Sequence, residues 1–266
     1  MVRVFLLSAT RFGLRCLDAI EACGQDVVGC AWTPRRFSIS YAPKGVENVN
    51  YVDYREVAEV RGIPCIRYER GNPLAFRKAV EGLRPDLLLA AGWYYLLDAK
   101  LRGIAPAGAV GIHGSCLPRY RGGAPLVWQM IRGERSAGAS LFYLEDGVDT
   151  GDVIGMRQFP IEEADTIADV MARMEEAAVG LLREFLPQLA EGTAPRHPQR
   201  EEDASIFPQR SPEDGEIDWT RPAPEIRNFI RAQTRPYPGA FTRIAGKKVI
   251  VWDADIVDEG SPGEVP

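Results

Sequence analysis

The feature that most constrains the fold is a series of short, nearly continuous apolar segments separated by segments with helical spacing. Residues 2–7, 27–32, 87–91 and 109–113 are apolar almost throughout. They lack the polar alternation of half-exposed strands, which is typical of strands buried on both faces of a parallel sheet. Residues 12–22, between the first two, have helical spacing. This alternation predicts an α/β fold, an open and mostly parallel Rossmann-like sheet with helices on both faces.

The first strand-to-helix turn limits the ligands that such a sheet could hold. Its sequence is SATRFG, without the GxGxxG pattern of dinucleotide-binding proteins. We therefore do not expect NAD binding. Ligands of open α/β sheets lie outside the carboxyl ends of the strands. That rule directs attention to the residues just past Ala91 and just past Ile112.

The remaining periodicity suggests three regions. Residues 1–190 form the predicted α/β domain, and residues 223–266 form a small β-rich C-terminal subdomain. The segment 191–222 is rich in Pro, Glu, Asp and Arg and predicts a linker. Residues 33–53 show no strong periodicity and predict a long loop. A long amphipathic helix is expected from residue 166, with Asp165 as its N-cap.

Composition narrows the class of protein. The net charge of -5 argues against a protein whose affinity comes mainly from phosphate contacts, so a nucleic-acid partner is not expected. The five cysteines have no zinc-ligand spacing, and no metal is expected. No apolar stretch is long enough for a membrane span, and no signal peptide is recognisable before the first strand. We therefore expect a cytoplasmic protein.

Two segments carry the polar residues that suggest chemistry. Residues 111–125 read GIHGSCLPRYRGGAP and residues 144–152 read LEDGVDTGD. A histidine that ends a buried strand suits a general base. Taken alone, the first segment is equally consistent with a surface loop beside a core histidine. The second, taken alone, is more typical of a solvated turn, or of a cation site, than of a catalytic loop.

Together the two segments resemble the folate-dependent formyltransferases, which include methionyl-tRNA formyltransferase and the sugar-nucleotide N-formyltransferases. The resemblance continues in DGEIDW at 214–219, IRNFIRA at 226–232 and PYPGAF at 236–241. It is strongest toward the sugar enzymes. It implies 10-formyltetrahydrofolate as co-substrate, and it implies that the C-terminal subdomain is truncated relative to the family.

The resemblance also assigns catalytic roles. His113 matches the histidine that helps to remove a proton from the attacking amine, and Asp149 matches the aspartate that orients it and favours its charged form. The family's third catalytic residue is an asparagine two positions before the histidine, where this chain has Gly111. Loss of that oxyanion donor predicts weakened transfer unless another donor replaces it. Restoring it as Gly111→Asn is expected to raise the rate.

Binding residues follow from the same resemblance, although each is also consistent with ordinary packing or a solvated surface. The expected folate-binding residues are Gly92, Trp93, Tyr94, Tyr95, Leu96 and Asp146. The expected substrate-binding residues are Ser115, Arg119, Tyr120 and Arg121. Both arginines are expected to face substrate phosphates.

The sequence therefore predicts an enzyme that formylates an amino group of a nucleotide-linked amino sugar. Two alternatives stay open. One is a methionyl-tRNA formyltransferase, and the other is a folate- or nucleotide-binding homologue in which Gly111 has weakened or abolished transfer. The partner is expected to be a small nucleotide-sugar, and a homodimer is left open.

Overall fold

The computed structural model describes residues 1–39 and 42–257. The strands are β1 (Arg3–Leu7), β2 (Asp26–Trp32), β3 (Arg36–Ile39), β4 (Ala42–Glu47), β5 (Cys65–Arg67), β6 (Leu87–Ala90), β7 (Ala109–His113), β8 (Arg121–Gly122), β9 (Ser136–Tyr143), β10 (Val153–Pro160), β11 (Ile206–Phe207), β12 (Ala240–Ile244) and β13 (Lys247–Val251). The α-helices are α1 (Arg11–Ala22), α2 (Tyr54–Arg61), α3 (Pro73–Gly82), α4 (Ala99–Arg102), α5 (Pro125–Ile131), α6 (Ile167–Glu191) and α7 (Ala223–Arg231).

The main sheet has seven strands in the order β10-β9-β7-β6-β1-β2-β5. The five strands from β7 to β5 are parallel to one another, and β9 runs antiparallel to both of its neighbours, β7 and β10. The predicted open, mostly parallel sheet is thereby confirmed. Strand β9 was not predicted, because its SAGASLFY sequence begins with small and polar residues that give neither a continuous apolar run nor a regular alternation.

Helices cover both faces of the sheet, as the apolar strands require. One core cluster joins the sheet to α1, α2 and α6, and the other joins it to α3 and α4. Residues of the central strands, such as Leu88 and Leu89 in β6, are fully buried on opposite faces. Side chains of a strand alternate between the faces, so a strand buried on both must be apolar throughout.

Helix α6 is the longest helix, with 25 residues, and it begins one residue later than predicted. Its N-cap is Thr166 rather than Asp165, and the Thr166 N–H donates to Asp169 Oδ2 at 2.8 Å. Asp165 is buried and pairs with Arg173 instead. Among the described residues, no helix combines the length and the apolar character needed to cross a bilayer.

The region predicted as a long loop at residues 33–53 contains a two-stranded hairpin. Strands β3 and β4 pair antiparallel, with Arg36 opposite Glu47. Residues 40 and 41 of this region lie outside the described residues. The hairpin contacts the segment that follows β6, where the Phe37 ring lies 4.8 Å from the Tyr94 ring.

The C-terminal subdomain is small and contains the predicted β structure. Strands β12 and β13 form an antiparallel hairpin, and Ile217, Ile230 and Ala240 form a buried cluster with residues of α7. The turn between the two strands falls at Ala245 and Gly246.

Residues 199–207, which we call the strap, lie across residues 114–124, which we call the His113 loop. Strand β11 of the strap pairs in parallel with β8 of the loop. The N–H groups of Arg121 and Gly123 donate to the carbonyls of Ser205 and Phe207 at 2.8 and 2.9 Å. The strap belongs to the segment predicted as a linker, so this segment connects the two regions and also packs on one of them.

Gly122 permits this close approach of two backbones. Its φ of +93° lies in the left-handed region that favours glycine. A Cβ at this position would stand 2.3 Å from the carbonyl oxygen of Phe207. A side chain at position 122 would therefore separate the strap from the loop.

The contact at Gly122 predicts a measurable loss of stability in Gly122→Ala. Gly246→Ala is the matched control, because Gly246 also has a positive φ, +78°, but no atom within 4 Å of its added Cβ. We expect the control to lose about 1 to 2 kcal/mol from backbone strain alone. Gly122→Ala should lose about 1 to 3 kcal/mol more, the usual cost of overpacking. Urea unfolding measures both, and equal losses would contradict the proposed contact.

Candidate active site

His113 is the last residue of β7 and is held on both sides by the sheet. Its strand pairs with β6 and β9, and its side chain is only 8% exposed. Nε2 lies 2.7 Å from the carbonyl oxygen of Tyr120 in the His113 loop. The strand fixes the Cα position, and the loop carbonyl fixes the orientation of the ring.

The Tyr120 carbonyl also selects the tautomer of His113. A carbonyl oxygen only accepts hydrogen bonds, so Nε2 must carry a proton and donate it. In the neutral imidazole the lone pair is then on Nδ1. This is the nitrogen that faces Asp149.

Asp149 reaches His113 by an indirect route. Strand β9 runs antiparallel to β7, so it ends beside the start of β7, at the opposite end from His113. There the N–H of Leu144, the residue after β9, donates to the Ala109 carbonyl at 2.8 Å. Residues 144–152, which we call the acidic loop, then return alongside β7. Their return brings Asp149 Oδ2 to 3.5 Å from His113 Nδ1.

The Asp149 carboxylate is anchored at a defined position. Its Oδ2 also accepts the backbone N–H of Gly122 at 2.8 Å. The residue has φ +55°, a left-handed conformation that costs free energy for a residue with a side chain. Two other residues of the described chain with this conformation, Tyr120 and Ala124, lie in the neighbouring His113 loop. Such clustering of unfavourable conformations is typical of functional sites.

Gly111 lies on the same face of β7 as His113 and has ordinary strand pairing. Its neighbours in the sheet are Ala90 and Phe142. A Cβ added here would stand 2.8 Å from Leu144 Cδ2 and 3.2 Å from Phe142 Cε1. The space next to that Cβ is therefore taken by the apolar side chains of Leu144 and Phe142.

The predicted folate residues after β6 form a half-buried aromatic surface. Residues 91–97, which we call the aromatic loop, begin beside Gly111, because Ala90 pairs with Gly111. Trp93 and Tyr95 have ring centroids 5.6 Å apart and pack around Tyr68. Leu96 is 76% exposed. The loop thus offers both aromatic and exposed apolar surface at the end of β6, the strand beside β7.

Gly92 allows the aromatic loop to approach β1. It has φ +64°, and a Cβ there would lie 2.1 Å from Thr10 Oγ1. Thr10 Oγ1 is buried and has no hydrogen-bond partner among the described residues. A polar group of a ligand or a water molecule is the expected partner, since buried hydroxyls are nearly always hydrogen-bonded.

Asp146 connects the acidic loop to the aromatic loop through Arg102. The guanidinium of Arg102 donates to Asp146 Oδ1 and to the Leu97 carbonyl, each at 2.5 Å. The Asp146 side chain is 90% exposed. Arg102 thus brings together the two segments that carry the predicted folate-binding residues, the aromatic loop and the acidic loop.

Three of the four predicted substrate residues are buried, and their side chains are hydrogen-bonded to other groups of the protein. Ser115 Oγ donates to the Arg119 carbonyl at 2.5 Å, and the Tyr120 hydroxyl donates to Glu134 at 2.6 Å. Burial, together with the bond to Glu134, raises the pKa of Tyr120 to about 12. Arg121 is 1% exposed and forms two bonds to Glu201. In this conformation none of the three reaches solvent.

Arg119 is the predicted substrate residue that remains accessible. Its side chain is 57% exposed and pairs with Glu134 at 2.6 Å. Exposed ion pairs of this kind contribute little to stability, so the guanidinium is available to an anionic ligand at small cost.

Sequence reasoning missed the contribution of the strap. Gln199 Nε2 donates to the carbonyls of Asp149 and Gly151, and Ser205 Oγ accepts the N–H of Tyr120. A Pro- and charge-rich segment gives no periodic signal, and these residues are about 50 to 85 positions from their partners. Only the folded chain brings them to the site.

Two family profiles match the chain. The profile described as formyl transferase matches residues 55–186, which include His113 and Asp149. The profile described as formyl transferase, C-terminal domain, matches residues 210–266.

Solved structures share the fold over nearly the whole chain. HypX from Aquifex aeolicus, in complex with tetrahydrofolic acid, is 23% identical with a TM-score of 0.67, and the match covers 99% of this chain and 40% of HypX. A sugar N-formyltransferase from a Shewanella species is 16% identical with a TM-score of 0.72 and coverage of 97% and 100%. An N-formyltransferase from Helicobacter canadensis, in complex with folinic acid and dTDP-3-aminofucose, is 17% identical with a TM-score of 0.70 and coverage of 94% and 87%.

The two kinds of comparison establish different things. The structural matches have at most 23% identity and show the fold, and the chain spans only about two fifths of HypX. The two profiles match both regions that the sequence motifs identified. On that basis, this chain belongs to the formyl transferase family.

Proposed function

We propose that the protein transfers a formyl group from 10-formyltetrahydrofolate to an amino group of a nucleotide-linked amino sugar. The observation that carries this proposal is the pair formed by His113 Nδ1 and Asp149 Oδ2, 3.5 Å apart, in the fold of the formyl transferase family. The histidine offers a lone pair near a carboxylate, beside a loop suited to a flat ring.

The pair can perform the proton transfer that formylation requires. The amine nitrogen attacks the formyl carbon and forms a new C–N bond, and the bond from that carbon to N10 of the folate then breaks. Overall the amine loses one proton and N10 gains one. His113 Nδ1 is the atom that accepts the amine proton, and Asp149 stabilises the resulting imidazolium.

The aromatic loop is the proposed binding site for the folate. Gly92 lets the loop backbone pack against Thr10, and Trp93, Tyr95 and Leu96 provide aromatic and apolar surface. Asp146 would form the opposite wall, held there by Arg102. The matched structures of HypX and of the Helicobacter canadensis enzyme contain folate compounds, which supports this assignment.

Two observations favour a nucleotide-sugar over methionyl-tRNA as the acceptor. The net charge of -5 is unfavourable for binding a polyanion. Two matched structures are of sugar N-formyltransferases, one of them in the presence of dTDP. A third contains dTDP-3-aminofucose. Arg119 is the proposed contact for the substrate phosphates, because it alone of the two predicted arginines is exposed.

The alternative of a binding protein with weak transfer depends on Gly111. A Cβ at this position would stand 2.8 Å from Leu144 Cδ2, so Leu144 must shift before a polar side chain can be placed there. Ser115 is not a substitute oxyanion donor in this conformation, since its hydroxyl is buried and bonded to Arg119. We therefore propose slow transfer, with the rate supplied by His113 and Asp149.

Replacement of His113 tests the proposed base. We expect His113→Ala to reduce kcat about 10²- to 10⁴-fold, the usual contribution of a positioned general base. His197→Ala is the matched control, since the chain has only two histidines and His197 is exposed. The assay follows tetrahydrofolate release with UDP- and dTDP-linked amino sugars, with methionyl-tRNA in a separate arm. Transfer to methionyl-tRNA alone, or equal rates in the two variants, would overturn the proposal.

Position 111 gives a second prediction, which revises the expectation from sequence. Gly111→Asn alone should slow transfer, because its Cβ displaces Leu144 at a cost of about 1 to 3 kcal/mol. Gly111→Asn combined with Leu144→Ala removes that clash. A restored hydrogen bond to the oxyanion, about 1.5 to 3 kcal/mol, should make the double variant about 10- to 150-fold faster than Leu144→Ala. A single Gly111→Asn variant faster than the wild type would show that Leu144 does not block the site.

A further inference from the structure

We propose that Gln199 is a positioning residue for Asp149, an inference that rests on the proposed function. The side-chain amide of Gln199 makes three hydrogen bonds. Its Nε2 donates to the Asp149 carbonyl at 2.8 Å and to the Gly151 carbonyl at 2.7 Å. Its Oε1 accepts from Arg121 Nε at 3.0 Å. Both N–H groups of the amide are thus used to hold the backbone that carries Asp149.

Arg121 determines which end of the Gln199 amide faces the acidic loop. If the Gln199 amide were turned by half a rotation, its Oε1 would face the carbonyl oxygens of Asp149 and Gly151, and these three acceptors would repel one another. The Arg121 Nε–H prevents this, because it needs an acceptor and faces Oε1. Arg121 is fixed in turn by Glu201, with bonds of 3.0 and 2.8 Å.

The ion pair behind Gln199 is well placed to hold it rigidly. Arg121 is 1% exposed, and its fork binds both oxygens of Glu201. The hydrogen bond from the Arg121 guanidinium holds the pKa of the Glu201 carboxyl below its usual range. The strap therefore supplies two side chains, Gln199 and Glu201, that fix one buried arginine of the His113 loop.

Asp149 needs such support because of its backbone conformation. Its φ of +55° is unfavourable for a residue with a Cβ. Two residues on, Gly151 approaches the sheet so closely that a Cβ would lie 1.9 Å from the Tyr143 carbonyl. The Gln199 amide bonds both residues of this turn. Without it, the turn can relax and the carboxylate moves away from His113.

Gln199→Glu tests the role with the least change in shape. The variant keeps an oxygen that accepts from Arg121, but it replaces Nε2, which donates to the Asp149 and Gly151 carbonyls, with a second oxygen. We expect kcat to fall about 10- to 100-fold with KM for both substrates within about twofold, because misplacement of a catalytic group by about 1 Å costs up to about 10²-fold. Gln158→Glu, the same change on the exposed edge strand β10, is the control and should leave both parameters unchanged.

A double-mutant cycle separates positioning from general structural damage. If Gln199 acts through the Asp149 carboxylate, its effect should be lost once that carboxylate is removed. Adding Gln199→Glu to the Asp149→Asn variant should therefore lower kcat by less than about twofold. An equal loss in the wild-type and Asp149→Asn backgrounds would overturn the proposal, as would an unchanged kcat in the single variant.

Hydrogen exchange gives a readout that does not depend on activity. The Gly122 N–H donates to Asp149 Oδ2, so its protection reports the position of the carboxylate. We expect Gln199→Glu to lose about tenfold or more of this protection, and Gln158→Glu to retain it. If the wild type transfers no formyl group, the proposed function fails, while Gly122 exchange still decides whether Gln199 positions Asp149. Unchanged exchange at Gly122 would contradict the role of Gln199.

Discussion

The hydrogen bonds between the strap and the His113 loop are the interaction on which the candidate site depends. The loop carries the Tyr120 carbonyl that orients His113, and the Gly122 N–H that binds the Asp149 carboxylate. Neither group would be held by the sheet alone, because both follow β7 in a loop with several left-handed residues. The pairing of β8 with β11 fixes this loop. The site therefore depends on a contact between two segments about 85 residues apart. The sheet supplies the position of His113 and, through Ser140 of β9, two further hydrogen bonds to the loop.

The region around Gly111 shows how the site can depart from its family while the fold is kept. The glycine is compatible with β7 because Phe142 and Leu144 pack against the strand where a side chain would stand. Exchange of a polar amide for apolar contacts favours local stability, since a buried amide must find partners. The same exchange removes a donor that would stabilise a developing oxyanion. Under the proposed function the chemistry then falls on His113 and Asp149, so the rate would depend strongly on their orientation.

Much of the fold could be predicted from sequence because its strands are buried on both faces. The segments that became β1, β2, β6 and β7 were recognisable from apolar runs alone. The proximity of His113 and Asp149 followed from the motif resemblance. The path of the chain between the two residues could not be predicted, because β9 lacks an apolar pattern and runs antiparallel to β7. The strap and the burial of Arg121 were also out of reach, because a charged segment gives no periodicity and an arginine in a loop looks like a surface residue.

The central claim is that the Tyr120 carbonyl keeps a proton on His113 Nε2 and leaves the lone pair on Nδ1, beside Asp149. Nitrogen-15 NMR of histidine-labelled protein tests this directly, because protonated and unprotonated ring nitrogens have well-separated shifts. The chain has only two histidines, and His113→Ala identifies the signals of His113. We expect neutral His113 to have a protonated Nε2 and an unprotonated Nδ1. A neutral His113 with its proton on Nδ1 would contradict this expectation.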